Sequence, residues 1–211
     1  WARGLGSAQA RQHPDWNLAW SVIIGSLPVG IVGFLGKDVI AGPLRSLWVV
    51  AAALVLWSAV MVVAERHHAA LERRDAIRGE GRVTVVDGVL IGLGQCFSLI
   101  PGVSRSGATI SAGLLRGLDR VTATELSFFM AIPALTAGGI FEAVDARHEL
   151  VHLGIGPMIV GTVVAFLVAY ASIAWLLRFV ASNTLLAFVW YRVGLGIVLA
   201  GALAAGAISA T

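Results

Sequence analysis

The stretch VTVVDGVLIGLGQCFSLIPGVSRSGATISAGLLRGL, residues 83–118, is apolar but broken in its middle by Ile100-Pro101-Gly102. Each half is too short to cross about 30 Å of hydrocarbon, which needs roughly 20 helical residues. Proline removes a backbone donor and disfavours helix in the residue before it, and glycine loosens the chain further, so the pattern predicts a loop at membrane depth. Because such a loop is tolerated only against protein or a wet cavity, we expect a re-entrant helix-loop-helix that enters and leaves on one side. One long kinked spanning helix is the alternative.

The composition of the whole chain agrees with a lipid environment. The 211 residues are 58% hydrophobic and 13% charged, and the mean hydropathy is +0.86, whereas about a quarter of the residues of a soluble domain are charged. The net charge of +3 could suggest nucleic acid, but the basic residues lie between apolar runs and not on one polar face, which favours a membrane-topology signal. The single cysteine, Cys96, excludes a disulfide framework and is interpreted as a packing residue.

Five further stretches are apolar and long enough to span a bilayer. They cover approximately residues 17–35, 47–64, 124–144, 157–179 and 184–209. The sequence therefore predicts an all-α polytopic membrane protein with five spanning helices plus one re-entrant helix-loop-helix, in a single membrane domain over residues 1–211.

The basic residues predict the orientation of this domain. If residues 83–118 are re-entrant, the linker 65–82 and the turns near Asp119 and Ala181 share one face. The basic residues of that face are Arg66, Arg73, Arg74, Arg78, Arg82, Arg116, Arg120 and Arg178, and those of the other face are Lys37, Arg45 and Arg147. By the positive-inside rule the first face is predicted to be cytoplasmic. The spanning alternative mixes the two sets of charges, which favours the re-entrant interpretation.

The segment 101–109 carries side chains suited to holding a phosphate group. Gly102 and Gly107 let the backbone approach a ligand closely, and the start of the second half-helix presents free N–H groups and the positive end of its dipole to an anion. The hydroxyls that can add neutral donors belong to Ser104, Ser106 and Thr109.

The prediction of a phosphate site depends mainly on Arg105. Its guanidinium is charged at any working pH and can bind a phosphate in a bidentate manner. A charge placed centrally in a membrane costs at least about 2.5–3.5 kcal/mol, so it should face a polar cavity and usually marks function. The alternative is that Ser104 or Ser106 only caps the helix and that Arg105 binds loop carbonyls or an acidic side chain.

Two polar residues precede the loop on the first half-helix. Asp87 and Gln95 lie eight positions apart, within about 80° of each other around the helix axis, and could line the same cavity. Asp87 is near the predicted interface, so simple hydration is the alternative. His148 and His152 have an i, i+4 spacing that could bind a metal, but no third ligand is near, and we interpret them as solvated residues.

Four motifs occur in a fixed order along the chain. They are Asp87-Gly-Val-Leu-Ile-Gly-Leu-Gly-Gln95, Pro101-Gly-Val-Ser-Arg-Ser-Gly-Ala-Thr-Ile110, Leu126-Ser-Phe-Phe-Met-Ala-Ile-Pro133 and Tyr191-Arg-Val-Gly-Leu-Gly196. In these motifs the sequence closely resembles the undecaprenyl-diphosphate phosphatase family, integral membrane enzymes also known as bacitracin-resistance proteins. Essentially all of the chain is covered by the resemblance.

The resemblance implies removal of the terminal phosphate from undecaprenyl diphosphate in the bacterial plasma (inner) membrane, at a site that opens to the outer face. The product is the monophosphate carrier that peptidoglycan synthesis reuses. The resemblance also implies inverted repeats with two re-entrant loops, in which residues 17–64 are the remainder of the first repeat and residues 83–211 are the second. The expected partners are the lipid substrate and the membrane, without nucleic acid, and a homodimer is a candidate assembly.

Carried over by position, the resemblance assigns roles to the loop. Arg105 would bind the diphosphate as the principal catalytic residue, with Ser104 and Thr109 donating to it or shaping the loop. The expected substrate-binding residues are Ser106, Gly102, Gly107 and Gln95.

The sequence departs from the family at its start. Family members begin with another re-entrant hairpin, which carries a Glu-x-x-x-Glu pair and a Ser-Ser-Thr-Gly-His segment, and a spanning helix follows; residues 1–211 contain neither. The resemblance places the metal-binding carboxylates and the group that attacks phosphorus in that stretch. We therefore expect the ligands of a divalent cation, Mg²⁺ or Ca²⁺, outside this chain, and we expect residues 1–211 alone to bind substrate poorly and not to turn it over.

Two other functional classes compete with a phosphatase. Broken helices aimed at an anion near the bilayer centre are also a design of secondary transporters, so a transporter or lipid flippase is one alternative. A non-catalytic membrane scaffold is the other. Release of inorganic phosphate from a prenyl diphosphate separates an enzyme from both.

Overall fold

A computed structural model of the protein describes residues 14–147 and 154–210. Its helices are α1 (Pro14–Leu35), α2 (Lys37–Ala41), α3 (Leu47–Glu72), α4 (Val85–Cys96), α5 (Arg105–Leu115), α6 (Arg120–Asp145), α7 (Ile155–Ser182) and α8 (Leu186–Ala204). Short 3-10 turns occur at Pro43–Arg45, Glu80–Arg82 and Phe97–Leu99. No β-strand occurs in the described residues, which confirms the predicted all-α class.

Five of these helices are long and apolar enough to cross a membrane, namely α1, α3, α6, α7 and α8. They confirm the five spans predicted from the sequence, with some different ends. Helix α6 begins at Arg120 and not at 124, because Asp119 caps it by accepting a 2.8 Å hydrogen bond from the Thr122 N–H. Helix α3 continues past 64 to Glu72, and Glu65 and His68 in this extension are buried.

The outer surfaces of these helices are apolar. The most apolar part of α7 has no buried residue, and large side chains such as Phe166, Leu167 and Tyr170 are exposed on it. Exposed apolar surface of this extent is expected where lipid, and not water, surrounds the protein.

Helices α4 and α5 form the hairpin predicted for residues 83–118. Asp87 in the first turn of α4 and Arg116 just after α5 form an ion pair, with Nε and Oδ1 2.9 Å apart. A continuous helix would separate residues 29 positions apart by about 44 Å, so the single kinked helix is excluded. The 12 residues of α4 extend about 18 Å, which places the loop after α4 within the thickness of a bilayer.

Glycines bring the hairpin against α1. Helices α1 and α4 run parallel, and a Cβ atom on Gly88 or Gly92 would overlap the backbone of Ser21 or Gly25. Close approach of backbones through small residues is the usual way in which helices pack in lipid, where no hydrophobic driving force acts between them. The contact fixes the hairpin to α1 without any large side chain between them.

Helix α3 supports both the hairpin loop and α8. A Cβ on Gly196 of α8 would lie 2.8 Å from Cγ2 of Val55 and 3.2 Å from the Ala51 carbonyl oxygen. A Cβ on Gly102, in the loop, would lie 2.6 Å from the Val50 carbonyl oxygen. The loop and α8 therefore rest on the same turns of α3.

The arginine-rich segments gather at one end of the bundle. Arg120 at the start of α6 pairs with the buried Glu65 of α3 at 2.9 Å, and Glu65 also accepts a 2.7 Å hydrogen bond from the Leu185 N–H before α8. Arg78 of the linker pairs with Asp87 at 2.8 Å. The linker, both ends of the hairpin and the starts of α6 and α8 thus share one face, as predicted from the charges.

Candidate functional site

The loop between α4 and α5 has an unusual backbone path. Gly102 and Ser104 both have positive φ angles, +97° and +70°. Glycine is required at 102, since its φ disfavours L side chains and the Val50 carbonyl occupies the space of a Cβ. Ser104 has no such freedom, and a non-glycine residue in this region stores of the order of 1–3 kcal/mol of strain, which is typical of functional loops.

Ser104 is the N-cap of α5. Its Oγ accepts a 3.2 Å hydrogen bond from the Gly107 N–H and lies 3.4 Å from the Oγ of Ser106. The capping role considered as an alternative is therefore present. The capped Ser104 side chain can still donate to a ligand, because a hydroxyl that accepts one hydrogen bond keeps its own O–H and Ser104 is exposed.

The first N–H groups of α5 have the arrangement that suits an anion. The helix ladder starts with the Ala108 N–H, which donates to the Ser104 carbonyl at 2.9 Å, and the Gly107 N–H is taken by the cap. The N–H groups of Arg105 and Ser106 precede the ladder and have no acceptor within the helix. Together with the helix dipole they favour an anion at this position.

Arg105 lies partly buried beside this helix start. Its Nη2 donates a 2.9 Å hydrogen bond to the Met130 carbonyl of α6, which also lies 3.4 Å from the Ser26 Oγ of α1. Pro133, inside α6, has no N–H to donate to the turn before it. Arg105 has no carboxylate partner among the ion pairs of the described residues, so its charge and most of its five donors are available to a ligand.

Thr109 lies deeper than the sequence suggested for a phosphate donor. It is fully buried, its Oγ1 is 2.6 Å from the Ser127 Oγ of α6, and it donates within α5 to the Arg105 carbonyl at 3.0 Å. In this arrangement Thr109 holds the first turn of α5 against α6. Of the two roles expected for it, shaping the loop fits this contact, and donation to a phosphate stays a prediction.

Gln95 is fully buried, and neither atom of its amide has a hydrogen-bond partner in the structure. It lies one turn beyond Gly92 on the face of α4 that packs against α1. Leaving a buried polar group unpaired costs about 1–3 kcal/mol. Gln95 thus carries an unsatisfied buried amide close to the loop.

Asp87 does not share a cavity with Gln95. Its carboxylate accepts hydrogen bonds from Arg78, Arg116 and Thr84, and it is fully buried. Thr84 and Asp87 form a capping box at the start of α4. The structure therefore assigns Asp87 to the base of the hairpin, and the hydrated alternative is wrong.

Sequence reasoning missed Arg192 as a site residue. This side chain of α8 is 9% exposed, and its Nη2 donates to the carbonyl oxygens of Gly102 and Val103 at 2.7 and 3.1 Å. The signal was present, because Arg192 is an arginine within an apolar spanning stretch and intramembrane charges usually mark function.

The described residues offer no ready metal site. No group of three or more His, Cys, Asp or Glu side chains in residues 14–147 and 154–210 could hold a metal ion, and the loop is lined by hydroxyls and arginine, which are poor ligands for Mg²⁺ or Ca²⁺. His148 and His152 lie outside the described residues. The described side chains of the loop therefore do not fit a divalent cation.

An apolar groove of about 760 Å³ lies between α1 and α6. Phe129 and Pro133 of its lining flank Met130, whose carbonyl holds Arg105. Its other lining residues are Leu18, Ala19, Val22, Ile23, Ile132, Thr136, Ala137 and Ile140.

Comparison with known proteins agrees with the four motifs. A family profile described as Bacitracin resistance protein BacA matches residues 1–198. An undecaprenyl-diphosphatase of Cutibacterium acnes is 48% identical over 218 residues, which cover 100% of this chain and 75% of the relative. One of Acidothermus cellulolyticus is 53% identical over 210 residues, covering 100% and 74%, and undecaprenyl-diphosphatase 1 of Streptomyces avermitilis is 47% identical over 213 residues, covering 99% and 73%.

Proposed function

Because this chain belongs to the bacitracin resistance protein BacA family, we propose that its loop 101–109 binds the diphosphate of undecaprenyl diphosphate while that lipid is hydrolysed. The protein is a multi-pass membrane hydrolase that releases inorganic phosphate and leaves undecaprenyl phosphate for reuse in cell-wall synthesis. The names of the relatives favour hydrolysis over a transporter, flippase or scaffold. The proposed role of the loop rests mainly on Arg105. This arginine lies at a helix N-terminus inside the bundle, and it has no carboxylate partner in the described residues.

The loop supplies the electrostatic part of the reaction. Phosphoryl transfer needs neutralisation of charge on the transferred phosphoryl oxygens, an activated nucleophile and in-line geometry. Arg105 can keep its hydrogen bond to Met130 with one N–H and present others to the diphosphate. The hydroxyls of Ser104 and Ser106 and the N–H groups at the start of α5 add neutral donors around the same point.

The remaining groups prepare this surface. Thr109 and Ser127 hold α5 against α6, so the donors are fixed before substrate binds. The unpaired amide of Gln95 offers a donor or acceptor from α4. Preorganised donors aimed at developing charge are a usual source of transition-state stabilisation in enzymes.

The groups that complete the reaction lie outside the described residues in this proposal. A divalent cation, Mg²⁺ or Ca²⁺, is the proposed cofactor, with carboxylate ligands other than the side chains of the loop. Residues 17–64 and 83–211 remain the predicted parts of two inverted repeats, and a homodimer remains a predicted assembly.

The apolar groove between α1 and α6 would hold the prenyl chain next to the diphosphate. Its lining is almost wholly hydrocarbon, and Phe129 and Pro133 bring it to the residue that holds Arg105. A long isoprenoid could then stay in the bilayer while its head group reaches the loop.

The proposed location is the bacterial plasma membrane, with the site open to the outer face. The arginine-rich end of the bundle would be cytoplasmic by the positive-inside rule. The loop lies at the other end of the hairpin from the Asp87–Arg116 pair, so it faces away from that end.

The test is phosphate release from a C15 or C55 prenyl diphosphate by the protein expressed from its complete reading frame in detergent. Arg105→Ala should lower kcat by about 100- to 1,000-fold, the usual effect of losing one transition-state donor, while Arg105→Lys should lose less. Arg178→Ala, an exposed arginine on α7, is the matched control and should be neutral. Unchanged release by Arg105→Ala would refute the site, and no release by wild type would refute the function.

A further inference from the structure

We propose that Arg192 is a positioning residue for this reaction, which turns two loop carbonyls away from the substrate so that the loop presents only donors to the diphosphate. This inference rests on the proposed function of the loop. It concerns a residue of α8 that lies 89 positions from the nearer of the two groups it holds.

One nitrogen of Arg192 donates hydrogen bonds to two carbonyl groups of the loop. Arg192 Nη2 lies 2.7 Å from the Gly102 oxygen and 3.1 Å from the Val103 oxygen. Both peptide groups belong to the irregular stretch before α5, where Gly102 has a φ of +97°. Since no helix or sheet fixes these groups, the arginine decides which way they point.

The direction of a carbonyl decides the direction of the next N–H. In a trans peptide the C=O and N–H bonds point to opposite sides. When the Val103 carbonyl points to Arg192, the Ser104 N–H points away from it. The N–H groups of Ser104, Arg105 and Ser106 can then act together as a concave anion-binding arrangement of successive backbone amides.

Without Arg192 the loop would lose this polarity. A carbonyl that rotated toward the site would place its negative end against a diphosphate and would remove the Ser104 N–H from the donors. The low dielectric of a buried site makes both changes costly. Arg192 therefore acts on substrate binding through the backbone and need not touch the phosphate.

Helix α3 fixes the position of Arg192 relative to the loop. Gly196, one turn along α8, seats that helix on Ala51 and Val55, and Gly102 seats the loop on Val50. The turn of α8 at Gly196 and the loop at Gly102 both pack directly on α3. This packing fixes the distance from the Arg192 backbone to the loop carbonyls. Both oxygens are met by Nη2 at the end of the arginine side chain, a position that the shorter lysine side chain does not reach in the same way.

The first experiment compares Arg192→Ala and Arg192→Lys in the prenyl diphosphatase assay with the protein from its complete reading frame. Arg192→Ala should lower kcat/KM by up to about 100-fold, as expected for misplacement of a binding group, and non-denaturing guanidinium in the buffer should restore part of the loss. Arg192→Lys, which can still hold one carbonyl, should lose less. A value for Arg192→Ala within twofold of wild type would overturn the inference.

The second experiment separates a positioning residue from a direct ligand. Gly102→Ala disturbs the same loop from the other side, so if Arg192 acts through the loop the double variant should be no worse than the more damaged single variant. Multiplied losses would instead identify a direct phosphate contact. Where Gly102→Ala does not fold, Ser104→Gly, which tolerates the positive φ, takes its place in the cycle.

The outcomes distinguish this inference from the proposed function. If wild type releases phosphate and Arg105→Ala does not, the function stands whatever Arg192 does. Wild-type activity in Arg192→Ala, or multiplied losses in the cycle, would then overturn the role of Arg192 alone. Arg178→Ala again serves as the control for loss of a positive charge.

Discussion

Arg116 and Asp87 form an ion pair with Nε and Oδ1 2.9 Å apart, although 29 positions separate them in the chain. The same carboxylate accepts two hydrogen bonds from Arg78, at 2.8 and 2.9 Å, and is fully buried. One acidic side chain thus joins the linker after α3, the first turn of α4 and the residue after α5. The re-entrant hairpin is closed at its base by this contact.

Removing that carboxylate should loosen the hairpin. Asp87→Ala leaves Arg78 and Arg116 without their shared partner and should lower the free energy of unfolding by about 2–3 kcal/mol, since both arginines are partly exposed and can be hydrated. Thermal unfolding in detergent measures the effect. Asp38→Asn, an exposed carboxylate on α2, should leave the Tm unchanged, and equal shifts in both variants would contradict the assignment.

The same contact should give a defined dependence on pH. Burial by itself raises the pKa of the Asp87 carboxyl, but hydrogen bonds from Arg78, Thr84 and Arg116 outweigh burial and hold that pKa below its ordinary value. A lowered folded-state pKa contributes stability that is present above the unfolded pKa and is lost as the pH falls through the folded pKa. The difference in Tm between wild type and Asp87→Asn should therefore be constant at neutral pH and shrink only in strong acid. A difference that is unchanged there would contradict this account.

The glycine contact between α1 and α4 should be intolerant of one methyl group. A Cβ at Gly25 would overlap the backbone of Gly88 and lie 2.8 Å from Cε of Met130, whereas a Cβ at Gly30 has nothing within 4 Å. Gly25→Ala should lower the Tm and phosphate release together, because it displaces the hairpin and the residue that holds Arg105. Gly30→Ala, in the same helix, should be neutral or slightly stabilising. Equal behaviour of the two would refute the packing argument.

Thr109 should prove to be a brace and not a phosphate ligand. Thr109→Val and Ser127→Ala each break the 2.6 Å contact between their hydroxyls, so each should lower the Tm, with a loss of activity well below that of Arg105→Ala. Their effects on unfolding should not add, because they remove the same hydrogen bond. A loss in Thr109→Val as large as that in Arg105→Ala, with an unchanged Tm, would instead make Thr109 a substrate ligand.

Gln95 should show opposite effects on stability and function. Both amide atoms are buried without partners, so replacing the side chain by leucine removes polar groups that cost about 1–3 kcal/mol when unpaired. Gln95→Leu should keep or raise the Tm while it raises KM for the prenyl diphosphate. A lower Tm with an unchanged KM would show that Gln95 has a structural role only.

Much of the fold could be predicted because it depends on consecutive residues. The five spanning helices follow from the length of their apolar stretches, and the break at Ile100-Pro101-Gly102 follows from the local effects of proline and glycine on the backbone. The distribution of arginines between the loops predicted the common face of the linker and the hairpin ends. The phosphate-holding character of 101–109 was predicted from its residue types, and it stays a prediction.

The tertiary structure determined the role of each polar residue in the hairpin and around its loop. Asp87 joins the hairpin ends, Thr109 turns inward to Ser127, and Arg192 holds the loop carbonyls. Each of these roles depends on a partner 18 or more positions away. Local sequence sets which segments are helical and how long they are, whereas the partner of a buried polar group depends on which helix packs beside it, and that is settled only when the whole chain has folded.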